Sequence, residues 1–144
     1  MAKRLPRRPS LIPRGFALWL EAMRWQRAVD ATLAPLSLTH TQYLVLATAS
    51  SLAKEIDDAP SQRAIAERAG LDETTMSRVV RTLTDRSLLD RGDTFEDRRA
   101  WRVRVTSSGR AVLRNATASL EMVANRFFAN QTERAANSVE LGRD

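Results

Sequence analysis

Residues 61–83 read SQRAIAERAGLDETTMSRVVRTL, and this stretch predicts two short helices joined by a tight turn. Ser61 can cap the first helix, and Gly70 can end it. Asp72 stands where a second helix cap is expected, so the connection has only about three residues. A short helix, a glycine-containing turn and a second helix form the helix-turn-helix pattern.

The second of these helices has two different faces. At 100° per residue, its narrow apolar face consists of Met76, Val79, Val80 and Leu83. The opposite face carries Thr74, Arg78, Arg81 and Asp85, with Thr75, Ser77 and Thr82 on its flanks. In an ordinary amphipathic helix such a polar face is simply solvated. Its place between a short helix and a β-hairpin favours a binding surface.

The hairpin is predicted from an alternating pattern. Leu88 to Arg91 form its first strand, and in the second strand Trp101, Val103 and Val105 alternate with arginines. The polar loop between them ends in Asp97, Arg98 and Arg99. Because a two-residue turn would be enough to reverse the chain, this longer loop predicts a projecting wing.

Long helices are predicted on both sides of this unit. Apolar residues spaced by three and four predict a first helix from Gly15 that is bent or ended near Pro35. Thr39 to Gln42 has the form of a capping box, which predicts a second helix running to about Lys54. The last helix opens after Thr106 with a coiled-coil-like apolar seam, which we expect to be exposed on the single chain and to need a partner helix. The seam consists of Leu113, Ala116, Leu120, Val123 and Phe127.

Positive charge is concentrated near the start of the chain. The 144 residues suit one domain, and the net charge of +6 favours an anionic partner such as nucleic acid or an acidic membrane surface. Residues 1–14 hold five basic residues and no acid, so the rest of the chain is nearly neutral. We therefore predict a flexible basic arm there, and DNA contacts elsewhere that depend on the local placement of arginines.

The sequence offers little for catalysis or metal binding. It has no cysteine and one histidine, His40, which excludes disulfides, thiolate zinc sites, iron–sulfur clusters and histidine metal clusters. It has no glycine-rich phosphate loop, and its carboxylates lie on polar helix faces or in a linker. We expect no enzyme activity, no metal site and no cofactor.

We also expect a cytoplasmic protein. The apolar stretch from Leu11 to Met23 is broken by proline, arginine, glycine and glutamate, unlike a secretory signal. No stretch approaches the roughly 18 apolar residues of a membrane span. An organelle transit peptide and a membrane-surface protein that uses the basic arm are the alternatives.

Several segments together resemble the multiple antibiotic resistance regulator (MarR) family of bacterial winged helix-turn-helix transcription factors. They follow the family's order from about residue 15 to residue 130. The segments are Leu38-Thr39-His40-Thr41-Gln42-Tyr43, Gln62-Arg63-Ala64-Ile65-Ala66-Glu67-Arg68-Ala69-Gly70-Leu71, Thr75-Met76-Ser77-Arg78-Val79-Val80-Arg81-Thr82-Leu83, Asp97-Arg98-Arg99 and Val105-Thr106-Ser107-Ser108-Gly109.

The resemblance implies a mainly α-helical fold with a small β-hairpin wing, in which long first and last helices form a dimerisation region. It divides the chain into a basic arm (1–14), a winged helix-turn-helix domain (15–130) and a polar C-terminal tail (131–144). Within the domain, the DNA-binding unit spans about 60–106, and the dimerisation helices span about 15–36 and 107–130.

The resemblance also implies how the DNA is bound. The recognition helix enters a major groove with Thr75, Ser77, Arg78 and Arg81 facing the DNA, and Thr74 lies on the same polar face. Arg98 or Arg99 enters the adjacent minor groove, which attracts guanidinium groups where it is narrow. Asp97 either orients these arginines or forms a plain surface ion pair.

A ligand cleft between the helical region and the winged unit is a further implication, commonly for phenolic or other aromatic anions. Trp19, Trp25 and Tyr43 are candidates to line it, with His40 or Arg24 as a polar anchor. Aromatic residues at helical spacing are more often part of a hydrophobic core.

Two positions depart from the family pattern. Ser87 stands where the family usually has glycine after the recognition helix, which predicts a strained cap or a different start of the hairpin. The segment after Phe128 has few large apolar residues, whereas the family normally closes with another apolar dimerisation helix.

These features predict a sequence-specific double-stranded DNA-binding transcriptional regulator. We expect a homodimeric repressor that is released by a small aromatic or phenolic effector. The alternative is a winged-helix protein-interaction module, or a non-specific DNA-binding protein without a ligand response.

Overall fold

A computed structural model describes the backbone of residues 14–92 and 101–140 and the side chains of residues 15–92 and 101–131. The predicted basic arm, apart from the backbone of Arg14, and the predicted wing residues Asp97, Arg98 and Arg99 lie outside these ranges.

The described part of the chain is mainly helical, with one two-stranded antiparallel sheet. Its helices are α1 (Arg14–Leu33), α2 (His40–Ile56), α3 (Gln62–Ala69), α4 (Glu73–Asp85) and α5 (Ser107–Glu140), and its strands are β1 (Leu89–Arg91) and β2 (Val103–Val105). A 3-10 turn over Ala34–Leu36 contains Pro35 and separates α1 from α2, as predicted. No helix of the described residues is long and apolar enough to cross a membrane.

The helix caps predicted from the sequence are confirmed. The Thr39 hydroxyl accepts a hydrogen bond from the Gln42 amide, and the Gln42 side chain accepts one from the Thr39 amide. The Ser61 hydroxyl caps α3 by accepting a hydrogen bond from the Ala64 amide. Gly70 ends α3 with a φ of 67°, a left-handed conformation that glycine adopts without strain.

The core lies where helices α1 to α5 and the hairpin meet. Each helix contributes apolar side chains, and those of several elements interdigitate in one cluster. Its largest fully buried members include Leu33 of α1, Leu46 of α2, Ile65 of α3 and Met76 of α4. This cluster holds the two short helices in one orientation relative to the long ones.

The hairpin is paired with a third segment of the chain that is not predicted from the sequence. β1 pairs with β2 so that Leu89 faces Val105 and Arg91 faces Val103. On the other edge of β2, Ser61 forms a bridge with Arg102, and the Val103 amide donates to the Pro60 carbonyl at 2.9 Å. The start of α3 is thereby hydrogen-bonded to the hairpin.

Ser87 adopts the left-handed conformation that the family pattern assigns to this position, with a φ of 58°. The Ser87 amide donates to Thr84 and the Leu88 amide donates to Leu83, the hydrogen bonds of a Schellman cap. The hairpin therefore starts in the usual way, and the non-glycine residue carries the local strain.

Helix α5 differs from the prediction in two respects. It continues to Glu140 rather than ending near residue 130, because alanine, glutamate and arginine favour helix even where few large apolar residues are present. Its seam was predicted to be exposed, and this is wrong: Ala116 and Leu120 are buried in the core of the same chain. Among the side chains of α5 that the structure describes, up to residue 131, the exposed large apolar ones are Met122 and Phe128.

Candidate DNA-binding surface

Helix α4 is held by its apolar face. Met76, Val80 and Leu83 are fully buried and Val79 nearly so, which confirms the face predicted from the sequence. Burial of four such side chains prevents the helix from rotating about its axis without exposing apolar area. The orientation of its opposite face is therefore fixed by the core.

That opposite face is exposed and carries two arginines. Thr74, Arg78 and Arg81 are all exposed, and none of the ion pairs within the described part of the chain involves either arginine. Their guanidinium groups are available to form the forked hydrogen bonds that suit guanine edges and phosphates. Asp85 is also exposed, at the last residue of the helix.

Asp72 caps the amino terminus of α4 through hydrogen bonds with Thr75. The Asp72 carboxylate accepts hydrogen bonds from the Thr75 hydroxyl at 2.6 Å and from the Thr75 amide at 2.8 Å. These hydrogen bonds hold the pKa of Asp72 below its ordinary value. Because the Thr75 hydroxyl already donates to Asp72, it has only acceptor capacity left to offer to DNA.

Ser77 lies on the side of α4 that faces α3. Its hydroxyl oxygen accepts a hydrogen bond from the side-chain amide of Gln62 at 3.3 Å. Gln62 is the first residue of α3, is only 7% exposed and donates its backbone amide to the Trp101 carbonyl at 2.8 Å. Gln62 thus joins α4, α3 and the residue Trp101 that precedes β2.

A cleft of about 680 Å³ opens between α3, α4 and the hairpin. Gln62, Ser77 and Arg81 line it on the helical side, and Arg91 and Trp101 line it on the hairpin side. The Arg91 guanidinium lies over the Trp101 ring, 3.6 Å from its centroid. This stacking holds a cation at the loop end of the paired strands, in the same cleft as Arg81 of α4.

The side chain of Arg86 joins the end of α4 to the connection between α1 and α2. Arg86, which follows α4, donates to the Ser37 carbonyl at 2.6 Å and to the Leu36 carbonyl at 3.2 Å. On the other side of the unit, Arg68 of α3 forms a two-fold hydrogen-bonded ion pair with Glu55 of α2. This pair lowers the pKa of Glu55 and raises that of Arg68.

The residues predicted to bind a ligand are not gathered in one place. Trp19 is half exposed and stacks on Phe16, whereas Trp25 packs against Phe127 and Phe128 of α5. Arg24 pairs with Glu21 on its own helix.

The other two predicted ligand residues lie on α2. His40 is half-buried at the first residue of this helix. The Tyr43 hydroxyl is hydrogen-bonded to the Thr117 hydroxyl at 3.3 Å. Thr117 and the Trp25 partner Phe127 are ten residues apart on α5, about 15 Å at 1.5 Å per residue. The rings of Trp25 and Tyr43 therefore contact α5 at well-separated points.

Gln62, Arg91 and Trp101 were missed by the sequence prediction. Each is placed by a contact between distant segments, and the pairing of Arg91 with the second strand depends on a register that the long loop leaves undetermined. The alternation from Trp101 to Val105 was the only available signal for the tryptophan.

Comparisons with known proteins agree with this architecture. The MarR family model matches residues 38–101. An uncharacterized HTH-type transcriptional regulator of Bacillus subtilis, YdcH, is 29% identical over 115 residues, covering 80% of this chain and 78% of that protein.

Two solved structures of MarR family regulators have a similar fold. CouR from Rhodococcus jostii RHA1, bound to p-coumaroyl-CoA, is 28% identical with a TM-score of 0.68, and the match covers 87% of this chain and 90% of that one. The apo form of MarR from E. coli is 19% identical with a TM-score of 0.69, covering 93% and 98% of the two chains, and supports the fold alone.

Proposed function

We propose that this chain is a winged-helix transcriptional regulator of the MarR family, and that it acts as a homodimeric repressor of specific operator DNA. The observation that carries the proposal is the orientation of α4. Its apolar face is buried in the core, and its arginines project from the opposite face.

Helix α4 has the dimensions for insertion into a major groove. Its 13 residues extend about 20 Å at 1.5 Å per residue, and a B-DNA major groove admits one α-helix. Arg78 and Arg81 are separated by about 4.5 Å along the axis, close to the 3.4 Å rise of one base step. We propose that the two arginines contact neighbouring base pairs, with Thr74 and Ser77 beside them and Thr75 confined to acceptor contacts.

The wing and the basic arm supply the rest of the proposed interface. We propose that Arg98 or Arg99 enters the minor groove, with Asp97 as their ion-pair partner. The five basic residues of the arm add sequence-independent affinity through phosphates. The Arg91–Trp101 stack supports the hairpin on the DNA-facing side.

The proposed dimer uses apolar side chains that the single chain does not bury. Phe16, Leu18 and Trp19 of α1 and Met122 and Phe128 of α5 are between 46% and 73% exposed. Exposed apolar side chains on two neighbouring helices are typical of an interface between subunits. A two-fold dimer would recognise a pseudo-palindrome whose half-sites are about 10 bp apart.

We propose release of the repressor by a small aromatic or phenolic effector. The support is that CouR, which is 28% identical, is bound to p-coumaroyl-CoA in its structure. Trp19, Arg24, Trp25, His40 and Tyr43 remain the proposed ligand residues. Because Trp25 and Tyr43 contact points of α5 that are about 15 Å apart, an effector that reached both would have to span about that distance.

The alternative function is a winged-helix protein-interaction module or a non-specific DNA-binding protein without a ligand response. The basic arm and the nearly neutral remainder of the chain favour this alternative, because an arm alone can hold DNA without reading its sequence.

Selection from a random double-stranded DNA library separates these functions. A sequence-specific dimer enriches a two-fold symmetric sequence and binds it at least about 10³-fold more tightly than random DNA. The log–log salt dependence of the full chain should be steeper than that of a chain lacking residues 1–13 by about 0.9 for each phosphate the arm neutralises. Recovery of no common sequence would contradict the proposed function and favour the alternative.

A further inference from the structure

The buried amide of Gln62 is an unusual feature of the helix-turn-helix unit. Its side chain is only 7% exposed, and its amide nitrogen donates to the Ser77 hydroxyl oxygen at 3.3 Å. Its amide oxygen is buried without a hydrogen-bond partner among the described residues. An unpaired buried acceptor destabilises a protein by about 1–3 kcal/mol, so this arrangement needs a reason.

The contact determines what Ser77 can offer to a ligand. A serine hydroxyl has one donor and two acceptor positions. Because the Ser77 oxygen accepts from Gln62, its O–H bond points away from the Gln62 amide nitrogen. Within the described part of the chain, that hydrogen has no acceptor.

The position of Ser77 on α4 indicates which ligand its hydroxyl could reach. Ser77 follows the buried Met76 and precedes the exposed Arg78, so it lies on the border between the core and the proposed DNA-binding face. Because Gln62 occupies one of its two acceptor positions, the hydroxyl retains its donor and one acceptor position, and its donor suits an acceptor on a ligand. DNA presents acceptors at phosphates, at N7 and O6 of guanine, at N7 of adenine and at O4 of thymine.

We propose that Gln62 is a positioning residue of the DNA interface, which fixes the Ser77 hydroxyl as a hydrogen-bond donor toward DNA. The proposal rests on the proposed function, since it requires α4 to lie against DNA. It adds that part of the specificity of α4 is set from α3. The unpaired oxygen of Gln62 is the cost of keeping the amide nitrogen on Ser77.

A double-mutant cycle tests this role on the DNA sequence selected by the full chain. Gln62→Met retains the size of the side chain and removes the amide, and Ser77→Ala removes the hydroxyl. Each single change should weaken binding about two- to tenfold, the effect of one hydrogen bond. The double variant should bind no more weakly than Ser77→Ala, because both changes remove the same contact.

The base-preference profile separates positioning from a structural role. Gln62→Met and Ser77→Ala should both weaken the preference at the same base position, or should both weaken binding uniformly if the acceptor is a phosphate. Gln62→Asn keeps the amide but withdraws it by one methylene, and it should behave like Gln62→Met. Gln42→Met is the matched control: it removes a capping amide from α2 and should lower stability without changing the profile.

The outcomes are distinguishable. If the losses of Gln62→Met and Ser77→Ala multiply, or if Ser77→Ala leaves DNA binding unchanged, the positioning role is wrong while the proposed function stands. A full chain that selects no DNA sequence would overturn both.

Discussion

Gly109, near the start of α5, gives a direct test of how the long helix sits on the winged unit. A Cβ atom at this position would lie 2.1 Å from the Leu88 carbonyl oxygen and 2.9 Å from a methyl carbon of Val105. Since carbon–oxygen contacts normally start at about 3.3 Å, Gly109→Ala must move α5 away from the hairpin by about 1 Å.

The expected cost follows from what this movement breaks. The Leu88 carbonyl is a backbone acceptor for the Thr106 amide at 3.2 Å, so it cannot yield without losing that hydrogen bond. Overpacking costs about 1–3 kcal/mol, and a lost hydrogen bond adds about 1 kcal/mol. We therefore expect Gly109→Ala to lower the free energy of unfolding by about 3 kcal/mol, a large share of the 5–15 kcal/mol typical of a domain.

Urea unfolding monitored by far-ultraviolet circular dichroism measures this loss, at one fixed protein concentration because a dimer unfolds in a concentration-dependent way. Gly15→Ala is the matched control, because no atom lies within 4 Å of its added Cβ. This control should be neutral or stabilising by up to about 1 kcal/mol. A loss below about 1 kcal/mol for Gly109→Ala would show that α5 does not pack against the hairpin as described.

Three further predictions concern local strain, acid sensitivity and assembly. Ser87→Gly should raise the free energy of unfolding by about 0.5 kcal/mol in urea titration, because relief of the positive φ outweighs the added freedom of the unfolded chain. A lower free energy of unfolding for this variant would contradict the strain at Ser87. Because the pKa of Asp72 is lowered in the folded protein, its carboxylate stabilises the fold above the unfolded pKa near 3.8, and this stability is lost as pH falls through the folded pKa. Between about pH 5 and pH 2, the thermal midpoint of Asp72→Asn should therefore fall less than that of the unchanged protein. Equal falls of the two midpoints would show that Asp72 is not the cause. A variant in which Met122 and Phe128 are both replaced by polar residues should sediment as a folded monomer, whereas replacement of the buried Leu120 by a polar residue should unfold the chain. A monomer of the unchanged protein at micromolar concentration would remove the basis for the dimer.

The local structure of the helix-turn-helix unit could be predicted because its signals are local. Ser61, Gly70 and Asp72 each act on a backbone group within a few residues, so their roles follow from chain order alone. The apolar face of α4 was equally accessible, since helical geometry assigns it without knowledge of what it packs against.

Features that depend on distant contacts could not be predicted in this way. The seam of α5 has the same spacing whether its partner is α1 of the same chain or a helix of another subunit, so periodicity could not show that Leu120 is buried internally. The contact between Gln62 and Ser77 joins two helices through side chains whose directions depend on the turn between them. The bridge from Ser61 to Arg102 is a single pair with no sequence pattern.

The central claim is that the exposed face of α4 recognises DNA sequence, and the affinities of Arg78→Ala and Arg81→Ala test it most directly. Both variants should be measured on the selected duplex and on random duplex at the same salt concentration, with Arg114→Ala on α5 as the matched exposed control. We expect each α4 variant to lose about 1–3 kcal/mol on the selected duplex, roughly five- to 150-fold, with little change on random DNA and little effect of the control. Equal losses on both duplexes would limit these arginines to phosphate contacts, and full affinity on the selected duplex would show that the face is merely solvated.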